Sequence, residues 1–223
     1  MGTTTRGRPR SFDRDAALDQ AMRLFWERGY EATSIGDLTA AMGIGAPSLY
    51  AAFGDKKTLF AEAVASFGAR YGGFVTRALA EEATAEAAVR RILHEAAVEY
   101  TRPDCPHGCL VISAGVNTTN TEIADLLRDM RNWNVDRFAA RIQVDIDAGL
   151  LPAHPDARTL ARYVATVMQG MSQSARDGAS QAELERVAAL AMRVWADLVP
   201  GGASVLHDHG QAAAHEVGAE VGE

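Results

Sequence analysis

SIGDLTAAMGIGAPSLYAAF, residues 34–53, decides the fold. Ser34 followed three residues on by Asp37 resembles a relaxed capping box, which opens a short helix over Ile35–Ala41 that Met42 and Gly43 close. A second short helix follows over Ala46–Phe53, with Pro47 in its first turn, where a missing N–H costs little. Leu38, Ala41 and Ile44 fill the angle between the two, and Gly43 permits the close turn. Ser48 and Tyr50 are left to face outward. Two short helices about a glycine turn are the sequence form of a helix-turn-helix, whose second helix enters a DNA major groove with its N-terminal residues at the base edges. Ordinary helix pairs share this form, so the surroundings carry weight.

On both sides the apolar period is helical. Asp13 caps a helix to about Gly29, with Leu18, Ala21, Leu24 and Phe25 on one face. Asp55 caps another from Lys56 to Arg70 or beyond, striped by Leu59, Phe60, Ala63, Val64 and Phe67. Further patterns cover Ala85–Tyr100, Gly108–Val116, Glu122–Ala148, Ala157–Arg176 and Gln181–Leu198, and no stretch alternates with period two. The chain therefore reads as all-α. An N-terminal three-helix domain with the helix-turn-helix precedes a C-terminal helical domain. The expected divisions are a basic arm at 1–12, the helix-turn-helix domain at 13–57, the larger helical domain at 58–199 and a small, polar, disordered tail at 200–223.

The 223 residues are 48% hydrophobic and 23% charged, which excludes collagen-like and wholly disordered classes. The N-terminus has arginines without an apolar segment behind them and no run of ~18 apolar residues occurs, so neither a signal peptide nor a membrane span is expected. A cytoplasmic protein follows. The net charge of −7 argues against generic nucleic-acid affinity, but it is unevenly spread. Residues 1–57 hold eight Lys+Arg against seven Asp+Glu, and the remainder 14 against 22. Arg6, Arg8 and Arg10 sit in RGRPR, where Gly7 and Pro9 oppose helix, making either a solvated terminus or a cationic arm that tracks phosphates. The chain's two lysines stand together as Lys56 and Lys57, on a DNA-facing helix start or as a plain solvated pair.

The whole of Arg14–Val64 resembles the N-terminal domain of the TetR (tetracycline repressor) family of bacterial regulators. The matching words are ALDQAMRLFWERGYEATSI and DLTAAMGIGAPSLYAAFGDKKTLFAEAV. Within them stand Phe25 ahead of a Gly-Tyr-x-Ala-Thr turn, Gly43-Ile44 at the inter-helix turn, and the L-Y-x-x-F-x-x-K-x-x-L string from Leu49 to Leu59. Thr39 and Met42 stand where small alanines are commoner, and Gly36 and Ala46 where longer polar side chains are common. The resemblance implies phosphate contacts at Ser34, Tyr50 and Lys56, with Lys57 beside it. It implies base-edge contacts at Gly45, Ala46, Pro47 and Ser48. With two usual contacts absent, direct readout is expected to be thin and DNA shape to matter. The resemblance further implies a homodimer built from the last two helices, binding a palindromic operator, and a pocket among the middle helices for a small-molecule effector. Expected pocket residues are Asn117, Met130, Trp133 and Arg137, followed by Met168, Gln169, Met171 and Gln173.

Cys105-Pro106-His107-Gly108-Cys109 offers thiolate and imidazole, yet three ligands in five residues leave a fourth unaccounted for, so no metal or other cofactor is expected. A thiol sensor and a pair of small semi-buried hydrophobes remain as readings. In the first, Cys109 lies in the first turn of a helix whose N–H groups lower its pKa, which makes it the more reactive thiol. Cys109 with His94 or His107 is the one visible nucleophile and base set, and it lacks an oxyanion or phosphate loop, so no enzyme is expected. The function that follows is a ligand-responsive regulator, most simply a repressor. Gating by cysteine modification and an architectural DNA binder without effector are the alternatives.

Overall fold

A computed structural model describes residues 12–198. Arg8 and Arg10, with the rest of the arm through residue 11, lie outside the described residues, as does the tail from Pro200. Eleven helical segments and no strand occur among the described residues. They are α1 (Arg14–Arg28), α2 (Ile35–Met42), α3 (Ala46–Phe53), α4 (Lys56–Tyr71), α5 (Gly73–Glu81) and α6 (Ala85–Tyr100). After these come α7 (Leu110–Ser113), α8 (Thr121–Asp147), α9 (Ala157–Arg176), α10 (Gln181–Ala191) and α11 (Arg193–Ala196). No described helix is long and apolar enough to cross a membrane.

The helix starts obey their capping residues. Asp13 accepts from the N–H groups of Asp15 and Ala16, and Asp55 from that of Thr58. At Ser34 the capping box is complete, because the Asp37 N–H donates to Ser34 Oγ at 3.1 Å while the Ser34 N–H donates to the Asp37 carboxylate at 2.9 Å. Gly43 ends α2 in the left-handed region at φ 65°, and its N–H reaches back to the carbonyls of Ala40 and Thr39. A side chain there would be strained, which is why the turn carries glycine.

Three departures from the sequence reading have local causes. The segment expected at 108–116 shrinks to four residues, because Gly108 is left-handed and Asn117 turns the chain with φ 61°. The helix expected at 181–198 divides at Met192, where the Trp195 N–H bonds back three residues to the Met192 carbonyl rather than four. Helix α5 was not expected. It is short and starts at the Gly72-Gly73 pair, and it forms because Phe74, Val75 and Ala78 are buried on one side against α6.

Two apolar clusters organise the interior. One gathers α1–α4 around Phe25, Trp26, Leu38, Leu49 and Phe60, and it also takes in Leu110 and Val111 of α7 with Ile123 and Leu127 of α8. The other holds α5, α6, the later part of α8, and α9–α11. Packing therefore does not break at residue 57. Cys109 touches both clusters.

Candidate nucleic-acid interface and interior cavity

Leu38 and Leu49 are fully buried, with α2 packed on α1 and α3 on α2 and α4, which leaves the opposite face of α3 to solvent. Ser34, Gly45, Pro47 and Tyr50 are exposed, while Ala46 and Ser48 are half-buried. Tyr50 is 50% exposed, enough for its ring and hydroxyl to meet a partner. Gly45 caps α3 without a side chain, so the first N–H groups of that helix have no side-chain acceptor. Lys56 and Lys57 are not a plain solvated pair. The Lys56 ammonium sits 4.3 Å from the centroid of the Tyr30 ring, and burial lowers its pKa. Lys57 pairs with Glu122 at the start of α8.

The second feature is a cavity of about 320 Å³ between α4, α5, α6, α8 and α9. Of the expected pocket residues, Met130, Trp133, Arg137, Met168 and Gln169 line it, and so does Cys109. Asn117, Met171 and Gln173 do not. Asn117 is committed to its left-handed turn, Met171 is 1% exposed within the second core, and the exposed Gln173 donates to Asp177 at 3.0 Å near His107 and Arg176. Met171 lies three residues, about 4.5 Å, further along α9 than Met168, past the cavity and inside the second core. The remaining wall includes Phe67 and Tyr71 of α4, Tyr100 of α6, and Arg131, Asn134 and Phe138 of α8. For Asn134 and Phe138 the signal in the sequence was their spacing with Met130 and Arg137 along one face of α8.

Cys109 reverses its expectation. It is the N-cap of a four-residue helix, and burial pushes its thiol up to about 11, over the lowering effect of the Ile112 and Val111 N–H groups. Its own N–H donates to Ser172 Oγ at 2.9 Å. The partly buried Cys105 is also raised by burial. His107 Nδ1 lies 3.2 Å from the Ala175 carbonyl.

Between face and cavity run several polar ties. The Tyr30 N–H donates to the Ala114 carbonyl just after α7 at 2.9 Å. Thr118 and Thr119 hydroxyls and the Thr119 N–H converge on Glu31 at 2.8–3.1 Å, holding its carboxyl below the usual range. Arg176, the last residue of α9, donates to the carbonyls of Trp26 and Glu27 at 3.0 Å each. Those carbonyls belong to the last turn of α1 and lack helical partners, and a cation at that end also suits the helix dipole. Finally, Arg131 donates to the Val111 carbonyl at 2.8 Å.

Comparison with known proteins gives a consistent picture. Residues 17–63 match the family described as "Bacterial regulatory proteins, tetR family". The chain is 38% identical over 201 residues to the HTH-type transcriptional repressor ComR of Escherichia coli (strain K12), covering 87% of this chain and 94% of ComR. It is 29% identical over 186 residues to the HTH-type transcriptional repressor BdcR of the same organism, covering 83% and 90%. Among solved structures, a cysteine-substituted form of the TetR family transcriptional regulator CifR, complexed with 26-base-pair double-strand operator DNA, superposes with a TM-score of 0.81 at 39% identity. That match covers 85% of this chain and 100% of the CifR chain.

Proposed function

The chain belongs to the TetR family of bacterial transcriptional regulators, and from that membership we propose that it represses transcription as a homodimer on a palindromic operator and is released by a small-molecule effector. It is a regulator and not an enzyme. In this reading residues 13–57 form the DNA-reading unit, residues 58–199 the sensing and dimerising unit, and the protein works in the cytoplasm beside its DNA. The observation that carries it is the α2–Gly43–α3 geometry, which buries Leu38 and Leu49 and leaves Ser34, Gly45, Pro47 and Tyr50 in the open. Tyr50 and Lys56 would meet phosphates, with Lys57 beside them, and Gly45 to Ser48 would meet base edges. The ComR and BdcR likeness supports repression, and the operator complex of CifR supports a duplex DNA partner.

Dimerisation is supported by Val187, Leu190 and Val194, which recur at helical spacing along α10 and α11 and are 46%, 63% and 40% exposed. A solvent-facing apolar stripe on the terminal helices suits a two-fold partner. The cavity, lined by Met130, Trp133, Arg137, Met168 and Gln169 and walled on one side by α4, supports the effector. An effector acts by favouring one separation of the two α3 helices, which must stand about 34–36 Å apart, or a multiple of a turn, to meet successive major grooves. The test is selection of preferred sites from a random DNA pool, with sedimentation of the complex. Palindromic sites bound by a dimer, and weakened by Tyr50→Ala in a normally folded protein, are expected. A monomer at micromolar concentration with undiminished operator affinity overturns the proposal.

A further inference from the structure

The cavity wall is unusual in its charges. Arg131 and Arg137 both line it, and neither forms an ion pair with a carboxylate among the described residues. Every other polar commitment of these guanidinium groups is neutral. Arg131 donates to the Val111 carbonyl at 2.8 Å, while Arg137 donates to the Thr76 hydroxyl at 3.0 Å and lies 4.5 Å above the Trp133 ring. Two cations partly withdrawn from water without a counter-charge are costly, and in both the loss of water lowers the pKa. The one acidic side chain on the wall, Glu99, is paired with Arg102 at 3.4 Å. A second, independent feature has the same polarity. Trp26 is 1% exposed and borders the cavity, and its Nε1–H is buried with no acceptor among the described residues. Buried donors of this kind ordinarily have partners. The Tyr100 hydroxyl, also on the wall, is kept protonated by burial.

Resting on the effector reading of this cavity, we propose that its ligand class is a small organic carboxylate with an aromatic or otherwise apolar body, the oxyanion accepting from Arg131 or Arg137 and the body lying against Phe67, Tyr71 and Phe138. The two arginines are six residues apart on α8, about 9 Å along the helix axis, so they offer a deep position beside α7 and one near the half-exposed Trp133. Arg131 is the position with consequences for DNA. An anion that draws its guanidinium away from the Val111 carbonyl loosens α7 from α8, and the α7 exit at Ala114 is where Tyr30 of the DNA-reading unit is held.

A matched pair of fluorescent dyes tests the charge selection on the full chain. 8-Anilinonaphthalene-1-sulfonate and N-phenyl-1-naphthylamine have the same aromatic body, with and without an oxyanion. The sulfonate dye is expected to bind once per subunit, about tenfold or more tighter than the neutral dye, which is the ~1.4 kcal/mol of one charge-assisted contact. 1-Naphthoate should displace it and 1-naphthamide should not. In Arg131→Gln with Arg137→Gln the preference should collapse to about twofold while the neutral dye binds as before, and Arg131→Lys should keep most of it. Thermal melting of each variant separates loss of binding from loss of fold, and Arg137→Gln alone, which leaves the Val111 contact intact, serves if Arg131→Gln unfolds. Equal affinities for the two dyes, or a sulfonate preference untouched by both substitutions, overturns the charge selection and leaves the cavity reading standing. Binding of neither dye overturns the cavity reading and this inference with it.

Discussion

The two halves of the molecule are packed from different materials. Around α1 and α4 the core is aromatic. Phe25 meets Phe60 edge-on with centroids 5.0 Å apart, Tyr30 meets Phe60 at 5.1 Å, and Trp26 meets Phe67 and Tyr71 at 4.8 and 5.0 Å. Such rings add specific geometry to their buried area and leave little room to shift. The second core, across α6, α8, α9 and α10, leans on alanine, valine and leucine, with the cavity at its edge. A stiff core that carries the DNA-reading unit, beside a sensor with space inside, is what a ligand-gated regulator needs. The contrast is sharpest where the two meet, since Trp26, Phe67 and Tyr71 of the stiff core are themselves part of the cavity wall.

The largest test of this contrast is a pair of core truncations. Phe25→Ala, at a side chain 0% exposed with two aromatic neighbours, should cost about 3–5 kcal/mol in urea unfolding and abolish operator binding. Ala165→Leu, which adds volume where the cavity already offers it, should cost under about 1 kcal/mol, less than overpacking usually does. Similar losses at both sites would mean that the two halves are equally rigid.

Next comes the tie between them. Arg176→Ala removes both donors from the α1 carbonyls and should cost about 1 kcal/mol, discounted from the charged hydrogen-bond scale because the residue is exposed. Its sharper effect should be on coupling. Operator affinity in the absence of ligand should change little, whereas ligand-dependent release should weaken, as shown by operator titrations with and without cavity ligand. Unaltered release would move the coupling onto the Tyr30–Ala114 and Arg131–Val111 contacts alone.

The lysines separate the two halves on a smaller scale. If Lys56 meets a phosphate, Lys56→Ala should lower the salt slope of log K by ~1, as one lost phosphate contact does. Lys57→Ala should lower it less, because Glu122 of the sensing half already holds that ammonium. Glu122→Gln should then raise DNA affinity by freeing Lys57. Salt titrations of operator binding give all three slopes.

How much of this was legible in the sequence follows the same division. The reading unit rests on local signals, such as the Ser34 and Asp37 box, the glycine at 43 and Pro47 in the first turn of α3, and all of them fall between residues 34 and 47. The cavity rests on contacts between residues far apart in the chain. Arg176 meets Trp26 across 150 positions, and nothing in either neighbourhood marks it. Arg131 was missed because a charged residue on a long helix ordinarily faces solvent, and only the packing of α7 across it turns it inward. For Met171 and Gln173 the apolar period was followed along α9 past the end of the cavity, an error that period alone does not correct.

Cys109 gives the finest test, because it touches both cores and its expected reactivity is reversed by burial. A helix start lowers a thiol pKa through several aligned N–H groups, but α7 has four residues and contributes little, while the packing of the half-buried Cys109 between both cores disfavours the thiolate more. The thiol rises from an ordinary 9.0 to about 11, so at neutral pH the nucleophile is scarce and iodoacetamide should label Cys109 in the native protein on the order of a hundredfold more slowly than in the denatured chain. Cys105, half-buried like Cys109 but with Arg102 and Arg23 near enough to favour its thiolate, should label faster. Mass spectrometry of Cys105→Ser and Cys109→Ser separates the two rates. The sign with pH is fixed: the folded state favours the protonated thiol, so its contribution to stability is full below 9.0, declines above that, and is lost as the pH passes about 11, with labelling accelerating over the same range. Filling the cavity with the sulfonate dye should slow labelling further, since Cys109 is on the wall. Labelling of native Cys109 at the rate of a free cysteine near pH 7.5 would mean that the cavity opens readily to water, and the contrast between a stiff aromatic core and an adaptable sensor would then fail at the residue that joins them.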